Sequence, residues 1–198
     1  MNKKDNKIVF VIGPESSGSM LIAKIIAHVL DIKKHGEWGG GAWAIPENEK
    51  FTNNVLHRSL PYDKDAKFPN VDEWIDKYKD NDIYFVLTTR DQTIIDLSKK
   101  RRFNRRKESK EHRKISREIL SKVLNSQCKS LIWSYETFIY LQYDYLKLLY
   151  DFLGVQSDFN PDIYDGNRKY INALSYTISG KLKKMYKKSR KRKKKKQS

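Results

Sequence analysis

Residues 8–12 (Ile8, Val9, Phe10, Val11, Ile12) form an unbroken apolar run, the pattern of a strand buried on both faces inside a parallel sheet. Gly13, Pro14 and Gly18 then bracket a tight loop. From Ser19 to about Leu30, the apolar Leu21, Ile22, Ile25, Ile26 and Val29 recur at helical spacing. A strand–loop–helix unit is predicted. NVDEWIDKY, residues 70–78, predicts a short helix capped by Asn or Asp, with acids in its first turn. IYFVLTT, residues 83–89, predicts a second buried strand, with Arg90 and Asp91 just past its end and a helix after them that turns Ile94, Ile95 and Leu97 inward. Residues 108–125 carry a narrow apolar stripe of Ile115, Ile119, Leu120, Val123 and Leu124, the mark of a surface helix. KSLIWSY, residues 129–135, reads as a third strand, followed by one aromatic-rich helix closed by Gly154. A further amphipathic helix is predicted from Asn167 onward.

The alternation of strand and helix predicts an α/β fold: an open, mostly parallel sheet with helices on both faces. Residues 33–70 resist this reading. HGEWGGGAW, residues 35–43, holds four glycines and two tryptophans, which favours irregular backbone under large side chains. PENEKFTNNVLHRSLPY, residues 46–62, is expected to hold one short helix ended by Pro61. Such a long irregular stretch in a small domain points to function or mobility, and it is the expected place for an acceptor pocket.

The chain has 198 residues, enough for one domain with a sizeable core. One domain is expected over residues 1–180. The charge changes the picture only at the end of the chain. There are 41 Lys and Arg against 24 Asp and Glu, a net +17. Residues 181–198 hold 12 of the basic residues and no acid, so the remainder has 29 against 24, a net +5. A mildly basic body with a disordered basic tail is expected. The single cysteine, Cys128, excludes an intrachain disulfide and any multi-cysteine metal site. The start of the chain carries too short an apolar run for a secretory signal, and no stretch is apolar enough to span a membrane; a cytoplasmic protein is expected.

The loop carries the candidate chemistry. Gly13 and Gly18 have the spacing of a nucleotide-kinase phosphate loop, but Ser19 and Met20 stand where that loop has lysine and a hydroxyl residue. Without that lysine, outer phosphates and magnesium are poorly served, which disfavours a nucleoside triphosphatase. Backbone amides of residues 15–19 at a helix start can still bind phosphate, with hydroxyls from Ser16, Ser17 and Ser19. Alternatively, Ser19 merely caps the helix. Glu15 should point away from an anion or bond to a base. Arg90 lies at a strand end like Gly13, and Ser98 follows eight residues later; a guanidinium fork and a hydroxyl suit a second phosphate.

These pieces in this order resemble the sulfotransferases that use PAPS (3′-phosphoadenosine 5′-phosphosulfate). Ser17, Gly18 and Ser19 match the family's Ser-Gly-Thr loop. RDQTIIDLS matches its Arg and Ser pair through Arg90 and Ser98, and SYETFIYLQYDYLKLLYDFLG matches its Tyr-Glu strand end and long helix closing in Phe-Leu-Gly. The matches span roughly residues 8–155. The resemblance implies a P-loop sulfotransferase-like three-layer sandwich, PAPS as donor and PAP as product, no required metal, and a hydroxyl acceptor that is a small molecule or glycan. It implies donor contacts from Gly13, Ser16, Ser17, Gly18, Ser19 and Met20 at the 5′ end. Arg90, Ser98, Arg168 and Lys169 would meet the 3′-phosphate.

Ser16 occupies the position of the family's catalytic Lys or Arg, so a cation is missing where negative charge develops. Arg58, Arg101, Arg102 or Arg105 could supply it, whereas Lys24 lies more than a turn into the helix. His57 is the first choice of general base, with His35 and Glu37 as second choices; His28 and His112 read as structural or solvated. Three rivals stay open: a donor-binding relative with little activity, a kinase with an atypical loop, and a nucleic-acid-binding protein. The basic tail could touch nucleic acid or anionic membrane weakly. The acceptor and the oligomeric state are not legible.

Overall fold

A computed structural model describes residues 6–32, 53–62, 65–103 and 110–171, with residues 102 and 103 by backbone alone. The expectations for His35, Glu37, Arg105, the Gly-Trp stretch and the basic tail lie outside the described residues, as does the side chain of Arg102. In chain order the elements are β1 (Lys7–Pro14), α1 (Ser19–Val29), β2 (Asn54–Leu60), α2 (Val71–Lys77), β3 (Asp82–Thr89), α3 (Gln92–Phe103), α4 (Lys110–Leu124), β4 (Lys129–Ser134), α5 (Tyr135–Leu141) and α6 (Tyr143–Leu153). Two compact units divide the chain, Met1–Asp162 and Ile163–Ser198; in the second, the described backbone is helical over residues 168–171.

The first unit is α/β, with an open sheet of four parallel strands in the order β2-β1-β3-β4. The two continuous apolar runs are its central strands, since only there are both faces of a strand covered. Strand alternation divides the core. Ile8, Phe10 and Ile12 face one cluster with Leu56, Phe85 and Leu87, covered by Val71, Trp74 and Ile75 of α2 and Ile119, Leu120 and Val123 of α4. Phe10 stacks between Trp74 and Phe85, with centroids 4.6 and 5.1 Å away. On the opposite face, where Val9 and Val11 are fully buried, α1 packs on β1 and β2 with Ile22, Ile25 and Ile26 buried, and Phe152 of α6 meets the Tyr84 ring edge-on at 5.4 Å. Asn70 caps α2 as predicted, its Oδ1 accepting from the Glu73 amide at 3.4 Å.

Two expectations are corrected. Residues 54–60 form β2, not a helix. They pair in parallel with β1 from Ile8↔Asn54 to Pro14↔Leu60. His57, Arg58 and Ser59 hide the strand because polar residues at its carboxyl end break the apolar alternation, and the pairing partner overrides that local signal. The aromatic-rich segment is two helices rather than one. Gln142, at φ 49° and ψ −118°, ends α5 and starts α6. The break lets the Tyr145 hydroxyl donate to the Ile132 carbonyl at 3.3 Å and accept from the Ser134 amide at 3.2 Å. Gly154, at φ 63°, closes α6 in the left-handed conformation.

The sheet order brings β1 directly beside β3, and Gly13 makes that contact tight. A Cβ there would lie 2.2 Å from Thr88 Oγ1 and 2.4 Å from the Thr88 carbonyl oxygen. Since one obstacle is backbone, no rotamer change relieves it. Gly13→Ala is expected to lower stability by about 1–3 kcal/mol, in the range of overpacked cores, measured by urea denaturation.

Candidate functional site

Ligands of open parallel sheets sit beyond the carboxyl ends of the strands, where the strand order reverses. Here that reversal lies between β1 and β3: the chain leaves β1 for β2 on one side, then crosses to β3 and β4 on the other. The loop of residues 15–18 and the β3 end at Arg90 flank it.

Ser17 anchors the loop. Its amide donates to the Pro14 carbonyl at 3.0 Å, and its hydroxyl lies 2.7 Å from Thr88 Oγ1, which also reaches the Ile12 carbonyl at 3.3 Å. Gly18 precedes the helix at φ 91°. A Cβ on it would come within 2.8 Å of the Tyr135 ring. Only glycine meets both conditions without strain. The reading of Ser19 as a helix cap is corrected: Gly18 holds the cap position, and no side chain caps α1. Ser19 is the first helical residue, and its hydroxyl meets His57 Nε2 at 2.8 Å. The first-turn amides of Ser19 and Met20, together with the positive end of the α1 dipole, are thus not satisfied by a capping side chain.

Ser16 adopts φ 71°, a left-handed conformation costing roughly 1 kcal/mol or more for a residue with a Cβ. That turn points its carbonyl at Arg90, whose Nη1 donates to it at 2.8 Å. The Arg90 guanidinium also lies over the Tyr135 ring, 4.3 Å from the centroid. The Ser16 hydroxyl oxygen is buried, with no hydrogen-bond partner among the described residues. Asp91 serves α3 instead, its Oδ1 accepting from the Ile94 amide at 2.9 Å while its own amide donates to Glu136 at 3.1 Å.

The sequence-predicted residues therefore separate. Gly13, Ser16, Ser17, Gly18, Ser19, His57 and Arg90 converge at the β1 end. Of the three serine hydroxyls expected to face an anion, those of Ser17 and Ser19 are engaged within the protein. Met20 is exposed. Ser98 lies on the inner side of α3, 2% exposed. His57, the expected base, and Arg58, a candidate for the missing cation, point to opposite faces of the sheet: His57 is in register with Val11 on the α1 side, Arg58 with Ile12 on the other. Arg58 lies 4.4 Å from the centroid of Tyr62. Arg101 and Lys24 are exposed on their helices. Arg168, in the second unit, pairs with Asp165 at 3.7 Å, and Lys169 lies 5.2 Å from the Tyr170 ring centroid. His28 packs on Phe159, centroids 4.0 Å apart, and His112 meets Phe68 edge-on. Among the described residues no cluster of His, Cys, Asp and Glu could hold a metal ion, and no helix is long and apolar enough to cross a membrane.

The chain matches no family model, no curated protein and no solved structure. The geometry alone bears on what the site does.

Residue type and spacing do not mark Thr88 as a site residue, and they mark Tyr135 only as part of the Tyr-Glu strand end. Thr88 looked like one more residue of a buried strand, and only its position against Gly13 makes it the loop's anchor. Tyr135 follows the last strand in sequence, yet it packs on both Gly18 and Arg90.

Electrostatics set the state of His57. Burial lowers its pKa from 6.5 to about 4, with the Arg58 charge acting in the same direction. The imidazole is neutral near pH 7. Burial also lowers the Arg58 guanidinium, while Tyr62 acts the other way. Because the unfolded chain binds a proton that the folded His57 refuses, His57 contributes stability above pH 6.5 that is lost as pH falls toward 4. At ~1.4 kcal/mol per pKa unit, the loss approaches about 3 kcal/mol. His57→Gln should flatten that part of the stability profile between pH 7.5 and 4.5, measured by chemical denaturation of both proteins.

Proposed function

We propose that this chain is a PAPS-dependent sulfotransferase with a P-loop sulfotransferase-like fold, binding its donor where β1 and β3 end and passing a sulfuryl group to an acceptor hydroxyl. One observation carries the reading. The Arg90 guanidinium, at the end of β3, is hydrogen-bonded at 2.8 Å to the loop that follows β1, so a fixed cation and an uncapped helix start meet at the switch point of the sheet.

The residues present fit the phosphosulfate end of such a donor. The amides of Ser19 and Met20 and the buried Ser16 hydroxyl offer neutral donors that neither transfer nor need a metal to hold an oxyanion. Arg90 supplies the charge, and with Ser98 it is the candidate for the 3′-phosphate. When bound, PAPS would supply an activated sulfuryl group, with PAP as its leaving partner. Neutral His57 is in the right state to take a proton at Nε2, through the Ser19 hydroxyl that it already contacts.

A second reading has its own observation. With its pKa held at about 4, His57 is a weak base, and Arg58 points to the other face of the sheet. A donor-binding relative with little turnover follows if nothing else supplies the charge missing at Ser16.

Calorimetry at fixed ionic strength separates the readings. Adenosine 3′,5′-bisphosphate should bind more tightly than ATP or a short DNA duplex. Preference for ATP would favour a kinase, and preference for the duplex a nucleic-acid binder. Arg90→Gln should weaken the bisphosphate about tenfold or more, the value of a charged hydrogen bond, and AMP by less. Equal losses for the two ligands would remove Arg90 from the 3′-phosphate. Transfer of radiolabelled sulfate from PAPS to an acceptor then distinguishes enzyme from binder.

A further inference from the structure

The most basic stretch of the chain lies in the second unit, Ile163–Ser198, where 14 Lys and Arg stand against one acid, Asp165. Its described part shows which side is covered. Within the helical residues 168–171, Tyr170 is 4% exposed, whereas Ile171 beside it is 53% exposed. Asn167 and Tyr170, three residues apart and both buried, mark the inner side. Ile171 therefore stands on an outer side. Tyr164, in the same unit, is 71% exposed.

Ile171 is the first member of a longer pattern. Beyond the described residues the sequence places apolar side chains at Leu174, Ile178, Leu182 and Met185. These steps of three, four, four and three predict a helical stripe about 80° wide at about 100° per residue. From Lys181 onward the positions around the stripe fill with cations: residues 181–198 hold 12 Lys and Arg and no acid. We infer that this segment lies on an anionic membrane, its apolar stripe sunk at the acyl boundary and its cations over the lipid phosphates and carboxylates. The inference goes beyond the transferase reading and does not depend on it.

A lipid surface is the partner that meets both halves of this pattern. Leu, Ile and Met enter the acyl boundary, and lysine stems reach back to the headgroups. Each Lys or Arg near a negative leaflet strengthens binding about fivefold. The exposed Tyr164 belongs to a residue type enriched at membrane–water boundaries. The uncharged run from Tyr170 to Gly180 has 11 residues, too few to span a bilayer, so the segment lies along the surface. A nucleic acid offers phosphates to the lysines but nothing to the stripe. A second copy of the chain is disfavoured twice. The step of four from Ile178 to Leu182 breaks the seven-residue repeat of a coiled coil, and pairing would bring two runs of 12 cations together.

Co-sedimentation of the full chain with vesicles tests this, using phosphatidylcholine alone or with about one third phosphatidylserine. The mixed vesicles should bind at least about tenfold more tightly, and the difference should shrink at high salt. Ile171→Ser, an exposed substitution, should weaken binding to the mixed vesicles about fivefold while leaving binding to a short DNA duplex within about twofold. Replacing Lys193, Lys194, Lys195 and Lys196 together by Gln should weaken vesicle binding at least about fiftyfold. Both variants should melt with the native chain. Equal binding to the two vesicles, binding to neither, or no effect of Ile171→Ser on vesicles overturns the assignment. Tighter binding to the duplex than to mixed vesicles at equal phosphate overturns it in favour of a nucleic acid. A dimer that Ile171→Ser dissociates, with vesicle binding unchanged, overturns it in favour of a second copy.

Discussion

The hydrogen bond from Arg90 to the Ser16 carbonyl, 2.8 Å long, joins the loop after β1 to the end of β3, and the ring beneath the guanidinium belongs to Tyr135, the residue directly after β4. Three strand ends are thus tied through one side chain. The loop's unusual backbone depends on that tie. Gly18 takes φ 91° without strain, but Ser16, left-handed at φ 71°, does not hold that conformation at low energy in isolation. Arg90 takes up the carbonyl that the first turn exposes, while the Tyr135 ring fills the space a Gly18 side chain would need. What remains facing outward is a row of amides at the start of α1, held in place before any anion arrives.

The sheet also sorts the charges. His57 and Arg58 are neighbours in the chain, but strand geometry sends them to opposite faces. On the α1 face, burial keeps His57 neutral beside Ser19. On the α4 face lie Arg58 and, along one stripe of the helix, Arg113 and Arg117. A neutral proton acceptor and a cationic wall are therefore separated by a single layer of backbone. Were both on one side, the cations would act more strongly on the imidazole and further favour its neutral form.

Much of the fold was legible because it rests on local repetition. The apolar runs of β1 and β3 read as buried strands because they are short, rich in β-branched and aromatic residues and bounded by turn residues, and the stripes of α1 and α4 showed their inner faces directly. Asn70 and Gly154 announced helix ends through backbone chemistry that acts within a few residues. β2 failed that test. Its carboxyl half carries His57, Arg58 and Ser59, whose polarity is tolerated because one meets Ser19 and another lies on Tyr62. The break at Gln142 was hidden for a different reason: aromatic residues surround both α5 and α6, so no single stripe changed direction where the chain did.

The candidate site divides along the same line. Gly13, the serine-rich turn and Arg90 stood out in sequence, since glycine at a strand end and a cation past another are signals contained in a few residues. The sequence by itself determined an α/β chain with a phosphate-type loop lacking its lysine, because residue type and spacing suffice for that. Only the tertiary structure decided that β3 lies beside β1, that Thr88 and Tyr135 brace the loop, that Ser19 serves His57 instead of capping its helix, and that Arg58 faces away from both. Those outcomes depend on contacts between residues 38 to 117 positions apart, and the order in which strands pair is a property of the whole chain's packing that no short window contains.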